Sequence, residues 1–88
     1  MANEEIYLGN LPFSVTEAEL LELTEPFGSV VRVIQPKDFE TQRGRGFAFI
    51  IFDFEESAFK AIMALDGIMF QDRVLKAARA KPRIGNSR

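Results

Sequence analysis

Six segments of this chain alternate between two periodicities in the order β-α-β-β-α-β, and that order constrains the fold more than any other feature. Period-two segments rich in β-branched or aromatic residues lie at 5–9, 30–36 and 45–53, with a fourth, alanine-rich one at 74–80. Two helical segments interrupt them. The first is announced by Thr16, Glu17, Ala18 and Glu19, a capping box in which Thr16 and Glu19 satisfy each other's backbone N–H groups. Val15 and Leu20 sit at the staple positions around it, Leu20, Leu23 and Phe27 form one apolar stripe, and Gly28 supplies the stop. Pro26 removes one backbone donor near that end. The second helix is predicted over 55–66, with Ala58, Ala61, Ile62 and Leu65 facing inward and Gly67 just past its end. Asp53 and Glu55 are placed to cap it. The arrangement predicts an α+β, ferredoxin-like fold: one four-stranded antiparallel sheet with both helices packed on one face and the other face bare. Pro36 makes its strand an edge, followed by a polar loop over 37–44.

Composition narrows the chemistry. With 88 residues the chain holds one small core, read as a single domain over 1–83 and a flexible basic tail over 84–88. Cysteine and histidine are both absent, which removes disulfides, thiolate nucleophiles, imidazole catalysis and Cys/His metal sites. Neither a cofactor nor a metal is expected, and the chain is read as a binding module, not an enzyme. It carries no apolar run of about 18 residues, and its N-terminus lacks the pattern of a signal peptide. A monomer in the cytoplasm, the bacterial cytoplasm in particular, is the expectation.

The third strand breaks the rule that a one-sided sheet is apolar on one face only. In RGFAFIIF at 45–52, Gly46, Ala48, Ile50 and Phe52 share one face, and Arg45, Phe47, Phe49 and Ile51 share the other. Small Gly46 and Ala48 let a helix approach, so their side is the core. Phe47 and Phe49 then face outward, and Tyr7 joins them because Ile6 and Leu8 occupy the core side of the first strand. Exposed planar rings invite planar partners, and unstacked nucleobases are the obvious ones. Arg45 beside them offers a guanidinium for a phosphate or a base edge.

These residues carry a resemblance. RGFAFIIF resembles the octapeptide signature of the RNA-recognition motif family, departing only by Ile50 where valine is usual, and IYLGNL at 6–11 resembles the family's hexapeptide signature. ETQRGRGF before the third strand and ALDG ending the second helix extend the likeness over 5–83. The resemblance implies that Tyr7 and Phe49 stack on bases, Phe47 packs against sugars and Arg45 meets phosphate. It implies a single-stranded RNA partner of two to four nucleotides. Parity with core Val33 adds Arg32 and Ile34 to the same face, where Ile34 covers one side of a base. Parity with core Leu75 and Ala77 adds Lys76, Ala78 and Ala80; Lys76 reaches a phosphate or base edge, and Ala78 is small enough for a base to lie close. Lys81 and Arg83 continue as a basic exit track. Asn10 is either a turn residue bonding its own backbone or a base contact. Asp72 stands where the family often has glycine, which predicts a left-handed turn. In the apolar run beside it, Phe70 is expected in the core and Met69 at the surface.

The net charge of −2 is unevenly placed. Residues 1–29 carry six acids and no base, 30–52 four bases and two acids, 53–66 four acids and one base, and 67–88 six bases and one acid. The acids therefore fall mainly on the helices and the bases on the sheet and its exits. The acidic first helix, with Glu17, Glu19, Glu22 and Glu25, is the second candidate surface, for a basic protein partner.

Overall fold

The computed structural model describes residues 3–41 and 46–80. Strand β1 (Glu4–Gly9) is followed by helix α1 (Glu17–Thr24) and a 3₁₀ turn (Glu25–Phe27). Then come β2 (Val30–Ile34), β3 (Phe47–Phe52), helix α2 (Glu55–Leu65), the short strands β4 (Met69–Phe70) and β5 (Arg73–Val74), and β6 (Lys76–Arg79). The four main strands form an antiparallel sheet in the order β2-β3-β1-β6, so β2 is an edge as expected, although Pro36 itself lies beyond the strand's end. Both helices pack on one face, which gives the ferredoxin-like arrangement expected of the β-α-β-β-α-β order. No helix among the described residues is long and apolar enough to cross a membrane.

The core lies between that face and the helices. Ile6, Leu8, Ala48, Ile50 and Phe52 from β1 and β3 meet Leu20 of α1 and Ala58, Ala61 and Leu65 of α2, with Leu11, Val15, Leu75 and Ala77 closing the ends. Ala48, Ala58 and Ala61 are fully buried and small, which is what lets a helix sit close to the sheet. Each of the large residues here contributes on the order of 1.5–3 kcal/mol by leaving water.

Local chemistry sets the boundaries. The capping box forms: Glu19 N–H donates to Thr16 Oγ1 at 3.1 Å, and Thr16 N–H donates to Glu19 Oε1 at 3.0 Å. The α-helix ends at Thr24, before Phe27, because Pro26 cannot continue it; the chain tightens into the 3₁₀ turn instead. Buried Thr24 survives there by donating its hydroxyl to Leu20 O at 2.8 Å. Helix α2 differs from the sequence expectation at its start. Phe54 is its N-cap, without a side-chain hydrogen bond, so neither Asp53 nor Glu55 caps it; Glu55 and Glu56 stand in its first turn, where acids favour the helix dipole.

Three strands are shorter than their periodicity suggests, β3 because Gly46 and Asp53 at its ends are bends. β2 ends at Ile34, and Gln35, on the same side as Val33, donates its side-chain amide to Val15 O at 2.7 Å. The last strand splits. Leu75 exchanges backbone hydrogen bonds with the segment after α2, donating to Ile68 O at 2.9 Å and accepting from Gly67 N–H at 2.8 Å, and so delays entry into the sheet until Lys76. Val74 belongs instead to the β4–β5 hairpin, whose two-residue loop, Gln71 and Asp72, has φ of 50° and 69°. The left-handed turn expected at Asp72 is present, Met69 is 66% exposed and Phe70 packs against the core.

Candidate nucleic-acid interface

The open face of the sheet is organised in rows set by strand register. One row runs Ile34, Phe49, Tyr7, Ala78 across β2, β3, β1 and β6. The next holds Phe47, Gly9 and Lys76, and on the other side lie Arg32, Ile51 and Glu5. A bulge at Val31 adjusts the edge: it turns Val30 toward the core, leaves Val31 exposed and keeps Arg32 and Ile34 on the open face.

Tyr7, Phe47 and Phe49 sit together as three half-buried rings. Tyr7 and Phe49 have centroids 5.9 Å apart, Phe47 and Phe49 also 5.9 Å in an edge-to-face pair, and Tyr7 and Phe47 6.2 Å at 28° from parallel. Such pairs prefer these offset and tilted geometries, so each ring holds its neighbours in place. The opposite face of the same strands is already a complete core. These rings therefore do not serve the interior; they form an apolar platform on the surface. Ala78 opposite Tyr7 extends it without bulk, and Ile34 opposite Phe49 extends it with a branched apolar side chain.

Charge frames the platform unevenly. Lys76 is exposed at its β6 edge and Arg32 at its β2 edge. Arg45, Lys81 and Arg83, the other bases singled out from the sequence, lie outside the described residues. Glu5 also shares the open face, in the row of Arg32 and Ile51, so the Phe47–Lys76 side is the less acidic end. Glu5 and Gly9 share this face with Tyr7, each two residues from it along β1. Asn10 is exposed with φ of 62°. Its amide bonds across the molecule, donating to Val74 O at 2.7 Å, while its Oδ1 accepts from Arg73 Nη2 at 2.8 Å.

The helix side presents different chemistry. Glu19 of the acidic first helix is spent on the capping box, whereas Glu17, Glu22 and Glu25 are exposed. At the far edge, Arg79 donates to Glu4 at 3.0 and 2.5 Å and to Glu55 at 3.4 Å, tying β6 to β1 and α2. The hydrogen bond and charge of Glu4, opposed by desolvation and assisted by the charge and hydrogen bond of Glu55, raise the Arg79 guanidinium above its ordinary pKa. Arg79 is thus a fastening on the helix side, not part of the platform.

A sequence profile of the RNA recognition motif matches residues 6–76. The chain belongs to the RNA recognition motif family. It is 46% identical over 78 residues to RbpE of Nostoc sp. (strain PCC 7120), covering 89% of this chain and 79% of that protein. It is 45% identical over 82 residues to RbpA of Synechocystis sp. (strain PCC 6803), covering 93% and 81%. Both carry RNA-binding names. Among solved structures, the Rna15 RNA recognition motif with bound RNA (GU) superposes with a TM-score of 0.84 at 33% identity, over 89% of this chain and 83% of that one.

Proposed function

We propose that this RNA recognition motif domain binds single-stranded RNA on its open sheet face, without turnover, in post-transcriptional regulation. The observation that carries the reading is the cluster of Tyr7, Phe47 and Phe49 on the face opposite a complete core. The names of RbpE and RbpA and the RNA-bound Rna15 structure support it. In this reading Tyr7 and Phe49 stack on two bases, Phe47 packs against a ribose between them, and Ile34 and Ala78 border the bases. Lys76 and Arg32, with Arg45, Lys81 and Arg83, supply the basic border from which about three side chains contact phosphates. Two to four nucleotides span the platform.

The magnitudes place the affinity. Three aromatic contacts at about 1–3 kcal/mol each, with a few phosphate contacts and less the association cost, give roughly micromolar binding. The test is fluorescence anisotropy with labelled RNA decamers of uridine, adenosine, cytidine and alternating guanosine-uridine. Tyr7→Ala, Phe47→Ala and Phe49→Ala each weaken binding by about five-fold or more. If all three bind like the parent protein, the platform is not the RNA site.

A further inference from the structure

Gly9 faces outward from β1 two residues beyond Tyr7, yet it is buried. The Tyr7 ring covers it. A β-carbon at Gly9 would stand 2.4 Å from Tyr7 Oη and 2.7 Å from both Cε2 and Cζ, closer than real β-carbons come. The ring therefore leans along its own strand and occupies the space a side chain at position 9 would fill. Register shows what the lean achieves. Tyr7 is paired with Phe49, whereas Phe47 is the partner of Gly9. By lying over Gly9, the Tyr7 ring reaches within 6.2 Å of Phe47 at 28° from parallel, a diagonal contact that register alone does not give.

We infer that Gly9 is a positioning residue for RNA binding: the missing side chain at this position seats the Tyr7 ring against Phe47 and so sets where the first base stacks. The inference rests on the stacking reading above. The three atoms nearest an alanine β-carbon at position 9 all belong to the far end of one rotatable side chain, and the Gly9 backbone does not have positive φ. The sheet therefore accepts the β-carbon, and the ring must swing away.

The experiment is a double-mutant cycle between Gly9→Ala and Tyr7→Ala, read by anisotropy with the same RNA decamers and by thermal unfolding. Gly9→Ala is expected to weaken RNA binding about five-fold with the melting temperature unchanged or slightly raised, since alanine is less costly than glycine within a strand. In the Tyr7→Ala background the same substitution has no further effect on binding. Gly9→Ser repeats the pattern and guards against a folding defect peculiar to one variant. If Tyr7→Ala weakens binding while Gly9→Ala does not, Gly9 positions nothing and the inference fails alone. An equal loss from Gly9→Ala in both backgrounds also overturns it, because the effect then bypasses Tyr7. If Tyr7→Ala itself is neutral, the stacking reading falls and takes this inference with it.

Discussion

Arg73 and Asn10 hold each other across the molecule: the guanidinium donates from Nε to Asn10 O at 3.1 Å and from Nη2 to Asn10 Oδ1 at 2.8 Å. Asn10 completes the clasp by donating its amide to Val74 O at 2.7 Å. The end of β1 is thereby fastened to the β4–β5 hairpin, at a backbone position with φ of 62° that asparagine tolerates better than most residues. Asn10→Gly keeps that backbone and deletes the two side-chain bonds. It should lower unfolding free energy by about 1–2 kcal/mol in urea titration, with Arg73→Ala costing a similar amount. The double variant should cost clearly less than the two losses added together. RNA affinity of the folded Asn10→Gly protein should stay close to that of the parent, because the amide is already engaged; a large loss would make Asn10 a base contact instead.

Gly28 closes the 3₁₀ turn directly against α2. A β-carbon there would lie 2.0 Å from Ser57 Oγ and 2.3 Å from Ser57 Cβ, and its φ of 157° also favours glycine. Helix and turn would have to separate. Gly28→Ala should cost about 1–3 kcal/mol, visible as a fall of roughly 5–20 °C in melting temperature for a domain of this size.

The hairpin loop offers a gain in stability. Gln71 and Asp72 both have positive φ in a two-residue connection, the combination of a type I′ turn that asparagine and glycine fit best. Gln71→Asn with Asp72→Gly should raise stability by about 0.5–1 kcal/mol in denaturant titration. RNA affinity should be unchanged, since neither residue lies on the open face.

Salt dependence follows from the placement of charge. About three phosphate contacts predict a log–log slope of affinity against salt near −2 for a single strand, and Lys76→Ala should reduce its magnitude by about 0.7. A titration series in potassium chloride checks both numbers. With a net charge of −2, binding to duplexes should be weak, because the stacking part of the affinity needs unpaired bases.

Much of this molecule was legible in the residues. Alternation in β1 and β3 separates Ile6 and Leu8 from Tyr7, and Ala48 and Ile50 from Phe47 and Phe49, because side-chain period in a strand is a geometric constant. The capping box at Thr16 and Glu19 was equally readable, being a purely local pattern. What escaped depended on partners distant in sequence. Leu75 looked like strand because its backbone pairing with Gly67 and Ile68 leaves no trace in hydropathy. Asp53 and Glu55 looked like caps by position, yet α2 begins at Phe54 without one, and Glu55 turns to Arg79 of the last strand. Parity does put Gly9 on the open face, but the lean of Tyr7 over it is a side-chain torsion, which no spacing rule encodes.

Tyr7 is the single tyrosine of a chain without tryptophan, so its intrinsic fluorescence reports from the centre of the proposed site. Titrating the unlabelled protein with single-stranded RNA while exciting this residue tests the central claim most directly. Stacking of a base on Tyr7 predicts a saturable change in its emission, with the same midpoint that anisotropy gives for labelled RNA. Tight binding by anisotropy with no change in Tyr7 emission would contradict the account and place the RNA elsewhere on the domain.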